Sequence, residues 1–515
     1  MTDAKTIVFG LDGAHFELIE PWIERGHLPT IARLVNSGVT ADLQSVLPPV
    51  TSPNWKAYAT GKNPGKIGIF WWENIDVNNR RVYYPSDRKH QNVEFWELLS
   101  EEDSVGVLGV PTTYPPKEVG SFLISGPPDA ENDDYTHPSE LQQELENKFD
   151  YRVKKDHRLA INQDRAADEI HELIDSRYKV AKFLLEREDV NFLQVTTFYL
   201  NSLHHYLWDS KETLEAWQIV DKHLKQFYEE GYNIVLMSDH GSTSIDTVFH
   251  LNSWLEQEGY LELDRGVSSV AHNLGITKEN VLRVASKLRV KSLVRSIVPS
   301  RIRHRVPSDS GEIKQEGKTE VIDWDKTQAV ASGQGVVYIT ADGPAKDSVR
   351  TELMERFQTL TTPDGLHIAR TVHNGDDVYH GQYEDEAPDI VIEQTDGIHI
   401  PGSLGRTEVF SSPADDGWLG ENKRSGLFIA NGPSFSTGKL DELSILDLAP
   451  MFLHLHGRAI PKDMDGEVPM NVFKEGSEVK NRSPTHCAAV DSSDSDTDHE
   501  DEDLRDRLGD LGYIE

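Results

Sequence analysis

Three short stretches hold residue types that could do chemistry together. In Ile234-Val-Leu-Met-Ser-Asp239-His240-Gly241 an apolar run ends in a carboxylate, an imidazole and a glycine. In Thr6-Ile-Val-Phe-Gly-Leu-Asp12-Gly13 a second run ends in a carboxylate and a glycine. In Thr51-Ser-Pro-Asn54 a hydroxyl stands just ahead of a segment, residues 54–60, that can form a helix closed by Gly61. Asp offers a hard anionic oxygen and His a neutral nitrogen, a pair that Zn²⁺ accepts. A hydroxyl at a helix N-terminus meets N–H groups and a dipole that favour phosphate or sulfate. It becomes a nucleophile only when its pKa is lowered, as a metal ion does. Each stretch alone has a plainer reading, in which the Asp or Thr caps a helix and the His is solvated.

The elements that must position these residues are legible around them. Short apolar runs closed by a glycine turn resemble strands of a buried parallel sheet, and open α/β sheets bind ligands at the carboxyl ends of their strands. Residues 16–38 have helical periodicity broken near Gly26 and Pro29, which makes a βα unit with the first run. Residues 190–198 supply another buried strand. Residues 335–340 carry a strand signal, and residues 389–392 and 427–430 read as two more core strands. Residues 249–261 read as a short helix and turn, with His250 a surface or capping side chain. The fold class expected is α/β, a largely parallel central sheet with helices on both faces.

Composition narrows the function. The 515 residues suit one elaborate domain with insertions. Asp plus Glu outnumber Lys plus Arg 87 to 52, a net charge of −35 that repels nucleic acid and anionic membranes. Salt relieves the self-repulsion, so a halophilic archaeal source is expected. The lone Cys487 excludes an intrachain disulfide and a Cys-based zinc site. With neither a signal peptide nor an apolar run near the roughly 18 residues of a membrane span, a soluble cytoplasmic protein without a membrane anchor is expected. Residues 281–306 hold eight Lys and Arg and no acid. They read as a helical cap with solvated basic faces, or as a lid that attracts anionic substrate. From 477 to 503 the polar, acidic chain reads as a disordered linker, followed by a short segment over 504–515.

The order of Asp12, the Thr-x-Pro-Asn motif at Thr51 and the Ser-Asp-His-Gly motif at Asp239 resembles the alkaline phosphatase superfamily. Within it the chain most resembles the type I phosphodiesterase/nucleotide pyrophosphatase branch of archaea and bacteria. GQYEDEAPDIVI (381–392), SGLFIANGP (425–433), ILDLAPMF (445–452) and PKDMDG (461–466) extend the likeness. The resemblance implies an alkaline-phosphatase-like catalytic domain over 1–475, with 262–326 as the cap insertion. It also implies a covalent phospho-threonine at Thr51 and an Asn54 that hydrogen-bonds the transferred group. One metal, zinc, would be held by Asp12, Thr51, Asp239 and His240.

At the second metal of the resemblance the chain departs. His205 matches, but Asn201 stands where a carboxylate is expected and Asn422 where a distant His is expected. Neutral amide oxygens are weaker donors. A single-metal enzyme could use Lys423, Arg424 and His205 in place of the second ion. A two-metal site could hold a harder ion or recruit His204, His250 or Glu421. A pseudoenzyme could bind an anion or partner without turnover. The leading expectation is a metal-dependent hydrolase of phosphate mono- or diesters acting on a phosphorylated small molecule or glycan. The same intermediate passed to a sugar hydroxyl would make a transferase on glycans. A sulfatase is disfavoured, because Thr cannot become formylglycine and Trp55 replaces the expected Arg.

Overall fold

The computed structural model describes residues 4–85, 88–264 and 321–490. Its centre is a nine-stranded sheet in the order Gly438–Ser444, Val39–Gln44, Ser425–Asn431, Asn233–Met237, Thr6–Leu11, Phe192–Thr197, Val105–Leu108, Phe122–Ile124, Thr136–His137. Only Ser425–Asn431 and the short edge strand Thr136–His137 run against the others. Strand side chains alternate between faces, so Ile7, Phe9 and Leu11 pack on one side and Val8 on the other. The first side is covered by the long helices Gln163–Arg187 and Lys211–Tyr228, and by Phe16–Glu24 and Pro29–Ser37. The second is covered by Thr51–Thr60, Phe95–Ser100 and Leu448–Leu455. Burial on both faces explains why these strands read as unbroken apolar runs. The α/β class with helices on both faces is the fold observed.

A second lobe departs from expectation. Ala329–Ala331, Val336–Ile339, Ile390–Gln394 and Ala369–Asn374 form a separate four-stranded antiparallel sheet, with helix Pro344–Thr359 beside it. This lobe has its own core, which includes Leu251, Leu255, Val337, Leu353, Ile390 and Ile398. Residues 389–392 therefore belong to this sheet and not to the central one. An apolar run buried in one sheet looks the same as a run buried in another. The lobe also reaches well beyond the expected 262–326 insertion, whose residues 265–320 lie outside the described residues. At its margin Leu263 bridges Ile322 in antiparallel fashion.

The first part of the segment expected as a linker belongs to the folded structure. Residues 477–490 form helix Glu478–Asn481 and strand His486–Cys487, which pairs with Ile460–Pro461. The run from Asp491, including 504–515, lies outside the described residues. Among the described residues no helix is long and apolar enough to cross a membrane.

Candidate active site

Strand register brings the first two motifs together. Gly10 pairs with Met237 in a parallel ladder, so Asp12 and Asp239 leave their strands at the same level. Leu11 pairs with Thr197 on the other side, so helix Tyr199–Leu207, with Asn201, His204 and His205, starts at the same edge. Beyond His240 the chain enters strand Gly241–Ser244, antiparallel to Gly420–Lys423, with Ser242 opposite Asn422.

Thr51 arrives from the other face. Its helix spans Thr51–Thr60, a turn earlier than the 54–60 segment, and all ten residues are buried. Gly61, in the left-handed region at φ 64°, closes it. Val50 holds the N-cap position and has no side-chain hydrogen bond to offer. Asn54 compensates: its Oδ1 accepts from Val46 N (2.8 Å), and its Nδ2 donates to Pro48 O (3.0 Å) and Val50 O (2.9 Å). Buried loop carbonyls require such partners. The Asn54 amide is thereby spent on holding the loop that presents Thr51. This differs from the expectation that it hydrogen-bonds the transferred group.

Trp55, one helical turn from Thr51 and so on the same face, donates from Nε1 to Asp12 Oδ2 at 3.0 Å. Reading the sequence for ligands missed this contact, although the i, i+4 spacing marks it. The indole crosses Gly10, where an added Cβ would lie 2.5 Å from its ring. Gly13 N donates to Asp239 Oδ1 (3.3 Å), and Ser45 Oγ donates to the Asp239 carbonyl (2.8 Å).

At the centre several acceptor atoms converge. His240 pairs through Nδ1 with Gly241 O at 3.0 Å, which leaves Nε2 as a lone pair. That nitrogen lies 3.2 Å from Asp239 Oδ2, 3.7 Å from Asp12 Oδ1 and 3.3 Å from Thr51 Oγ1. Asp12, Asp239 and His240 are fully buried, and Asp12 Oδ1 and Asp239 Oδ2 have no hydrogen-bond partner among the described residues. Burial pushes both carboxyls well above their ordinary range, Asp239 further because Asp12 is beside it, and pushes His240 down to about 3. Two unpartnered carboxylate oxygens and an imidazole lone pair within 4.8 Å of one another form a donor set that fits a divalent cation.

The other predicted residues are placed differently. Asn201 Nδ2 donates to Asn422 Oδ1 at 3.3 Å, so these two amides meet each other. His205 joins its Nδ1 to Gly420 O (2.6 Å) and stacks on Trp418 with centroids 4.0 Å apart. His204 faces the core: Trp217 Nε1 donates to its Nε2 (3.2 Å), and Nδ1 lies 3.3 Å from Ser242 Oγ. Burial lowers His204 to about 3 and His205 to about 4. His250 is buried and pairs with Ser411 Oγ at 2.8 Å, so it is neither a surface residue nor a side-chain cap. Lys423 Nζ pairs with Glu17 (2.7 Å), and Arg424 with Glu393 (3.3 Å). Glu421, buried, accepts from Gln334 Nε2 (2.8 Å) and pairs with His399. Burial raises its carboxyl, but His399 and the Asn422 N–H outweigh that and hold it below the ordinary range.

The fold is shared with a solved enzyme. Phosphonoacetate hydrolase from Sinorhizobium meliloti 1021, in complex with phosphonoformate, is similar with a TM-score of 0.56 at 14% identity, covering 87% of this chain and 94% of that chain. Human ectonucleotide pyrophosphatase/phosphodiesterase 5 gives a TM-score of 0.48 at 16% identity, covering 88% and 95%. The family model for type I phosphodiesterase/nucleotide pyrophosphatase matches residues 6–419. Coverage of that extent, with the strand-end aspartates inside it, makes this chain a member of the type I phosphodiesterase/nucleotide pyrophosphatase family of the alkaline phosphatase superfamily, and a hydrolase.

Proposed function

We propose that the protein hydrolyses phosphate mono- or diesters of small molecules through a covalent phosphoryl group on Thr51, with one strongly held divalent cation. The observation that supports this reading is the convergence of two unpartnered carboxylate oxygens and the His240 Nε2 lone pair beside the Thr51 hydroxyl. Asp12, Asp239, His240 and Thr51 would hold the cation, and an oxygen and nitrogen donor set suits zinc. When bound, such an ion lowers the pKa of a hydroxyl and screens charge on a phosphoryl oxygen.

The chain's own residues account for the rest. The Thr51 hydroxyl gives up its proton to solvent, its oxygen forms the new bond to phosphorus while the ester P–O bond breaks, and the departing oxygen takes a proton from water. Water then cleaves the phospho-threonine, releasing phosphate or phosphomonoester and restoring the hydroxyl. The N–H groups of Thr51 and Ser52, in the first helical turn, lack intrahelical partners and are suited to phosphoryl oxygens. Asn54 holds the loop, and Trp55 holds Asp12 in orientation. At the second position, a single hydrogen bond joins Asn201 Nδ2 to Asn422 Oδ1.

The test is elemental analysis of the purified protein beside turnover of aryl phosphate mono- and diesters by wild type and Thr51→Ala. About one tightly held ion per chain is expected, with a phosphorylated Thr51 peptide detectable by mass spectrometry after an acid quench. Thr51→Ala should cost three orders of magnitude or more, roughly as removal of other enzyme nucleophiles does. Absence of both ion and turnover would leave an anion-binding protein on a hydrolase frame.

A further inference from the structure

A cleft opens beside the Thr51 loop where the second lobe meets strand Gly420–Lys423; Val50, His205 and Asn422 reach it from the first lobe, and Gln334, His399 and Ser403 from the second. Glu421 pairs with His399 and Gln334, but other polar atoms of the cleft are left over. Trp71 Nε1, Gln334 Oε1, Ser403 Oγ and Asn422 Nδ2 are buried and find no hydrogen-bond partner among the described residues. Two of these are donors, one is an acceptor and one is a hydroxyl that does both. A buried polar group left unmade costs about 1–3 kcal/mol, so four around one cleft call for an occupant.

The character of the walls restricts that occupant. Among the described residues no Lys or Arg lines the cleft, and its one carboxylate, Glu421, is taken by His399 and Gln334. A second phosphate or a carboxylate would find no cation there. The indole faces are also partly used: Trp418 lies on His205, and Trp71 lies on Gly333, where an added Cβ would sit 2.4 Å from the ring. What remains is apolar edge with single donors and acceptors. A hydroxyl both donates and accepts, and a sugar ring presents several of them on an apolar frame.

We propose that this cleft is the subsite for an uncharged, polyhydroxylated group of the substrate, a sugar or polyol esterified to the reacting phosphate, and that Trp71, Gln334 and Ser403 determine specificity for it. The proposal rests on the hydrolase reading above, and its test separates the two.

Three 4-nitrophenyl phosphodiesters share the reacting phosphorus and differ in the second ester group: methyl hexoside, thymidine and methanol. The expected result is a kcat/KM for the hexoside ester at least tenfold above the other two. Ser403→Ala and Trp71→Phe each remove one hydrogen-bonding group while keeping shape, and should cut the hexoside-to-methyl ratio roughly five- to tenfold. Because these groups are unpartnered in the free protein, both variants should hold or raise Tm; a merely structural role would lower it. Turnover of the methyl ester without a hexoside preference, or with a thymidine preference, overturns the cleft proposal and leaves the hydrolase standing. If no ester turns over, calorimetry with methyl hexoside 6-phosphate decides. Binding that weakens in Ser403→Ala keeps the cleft while the hydrolase reading falls, and no binding overturns the cleft.

Discussion

Two side-chain clusters lie within a turn of each other at the same sheet edge and solve burial in opposite ways. Around Asp12, Asp239 and His240, the imidazole lone pair faces carboxylate oxygens at 3.2–3.7 Å. Around Asn201 and Asn422, an amide N–H meets an amide carbonyl at 3.3 Å. Like charges that would be repulsive alone suit a cation, whereas neutral amides can hydrogen-bond each other directly. An amide where a carboxylate could stand thus does more than offer a weaker ligand. It also brings an N–H that bonds a neighbouring carbonyl.

The comparison can be broken from either side. Asp239→Asn should abolish tight cation uptake, and with it nearly all turnover. In the metal-free protein the same change should raise stability by about 1 kcal/mol, because a buried carboxylate is replaced by a neutral group. Thermal melts with and without chelator would show both effects, and an unchanged response to metal would refute the assignment. The double change Asn201→Asp with Asn422→His should carry stoichiometry from one ion toward two in elemental analysis. A count that stays at one would mean geometry, and not donor chemistry, closes the second position. Trp55→Phe keeps the ring but removes the N–H on Asp12, and should weaken metal affinity about tenfold, in the range typical of groups that orient ligands. Competition with a chromogenic chelator reads it. Smallest of all, Lys423→Met should lower turnover less than fivefold, since Glu17 already neutralises that ammonium. A loss of a hundredfold would restore Lys423 as a stand-in for the second ion.

The site was legible where chemistry coincides with strand ends. Asp12-Gly13 and Asp239-His240-Gly241 announce their place because an apolar run must stop before a polar tip, and parallel register does the rest. Thr51 was readable from the Pro-rich entry and Gly61. The loop-holding contacts of Asn54 were hidden, because only the positions of Pro48 O and Val50 O reveal them. The second lobe was hidden for a related reason: Ile390–Gln394 pairs with residues about 20 and 50 positions away, and nothing in an apolar pentapeptide names its partners. His399 escaped notice, and Glu421 entered only as a possible metal ligand, since a charged residue in a Gly-Glu-Asn-Lys-Arg run normally faces solvent. Here the second lobe buries it. The order in 477–490 likewise depends on pairing with Ile460–Pro461, a contact with no local signature.

The helix that presents Thr51 has no exposed residue along its ten positions, and even its lysine, Lys56, is enclosed with Glu94 at 2.6 Å. A segment so placed cannot fray independently of the core, so its amide hydrogens exchange with solvent only when the whole first lobe opens. The Thr51 hydroxyl therefore keeps the clock of global unfolding.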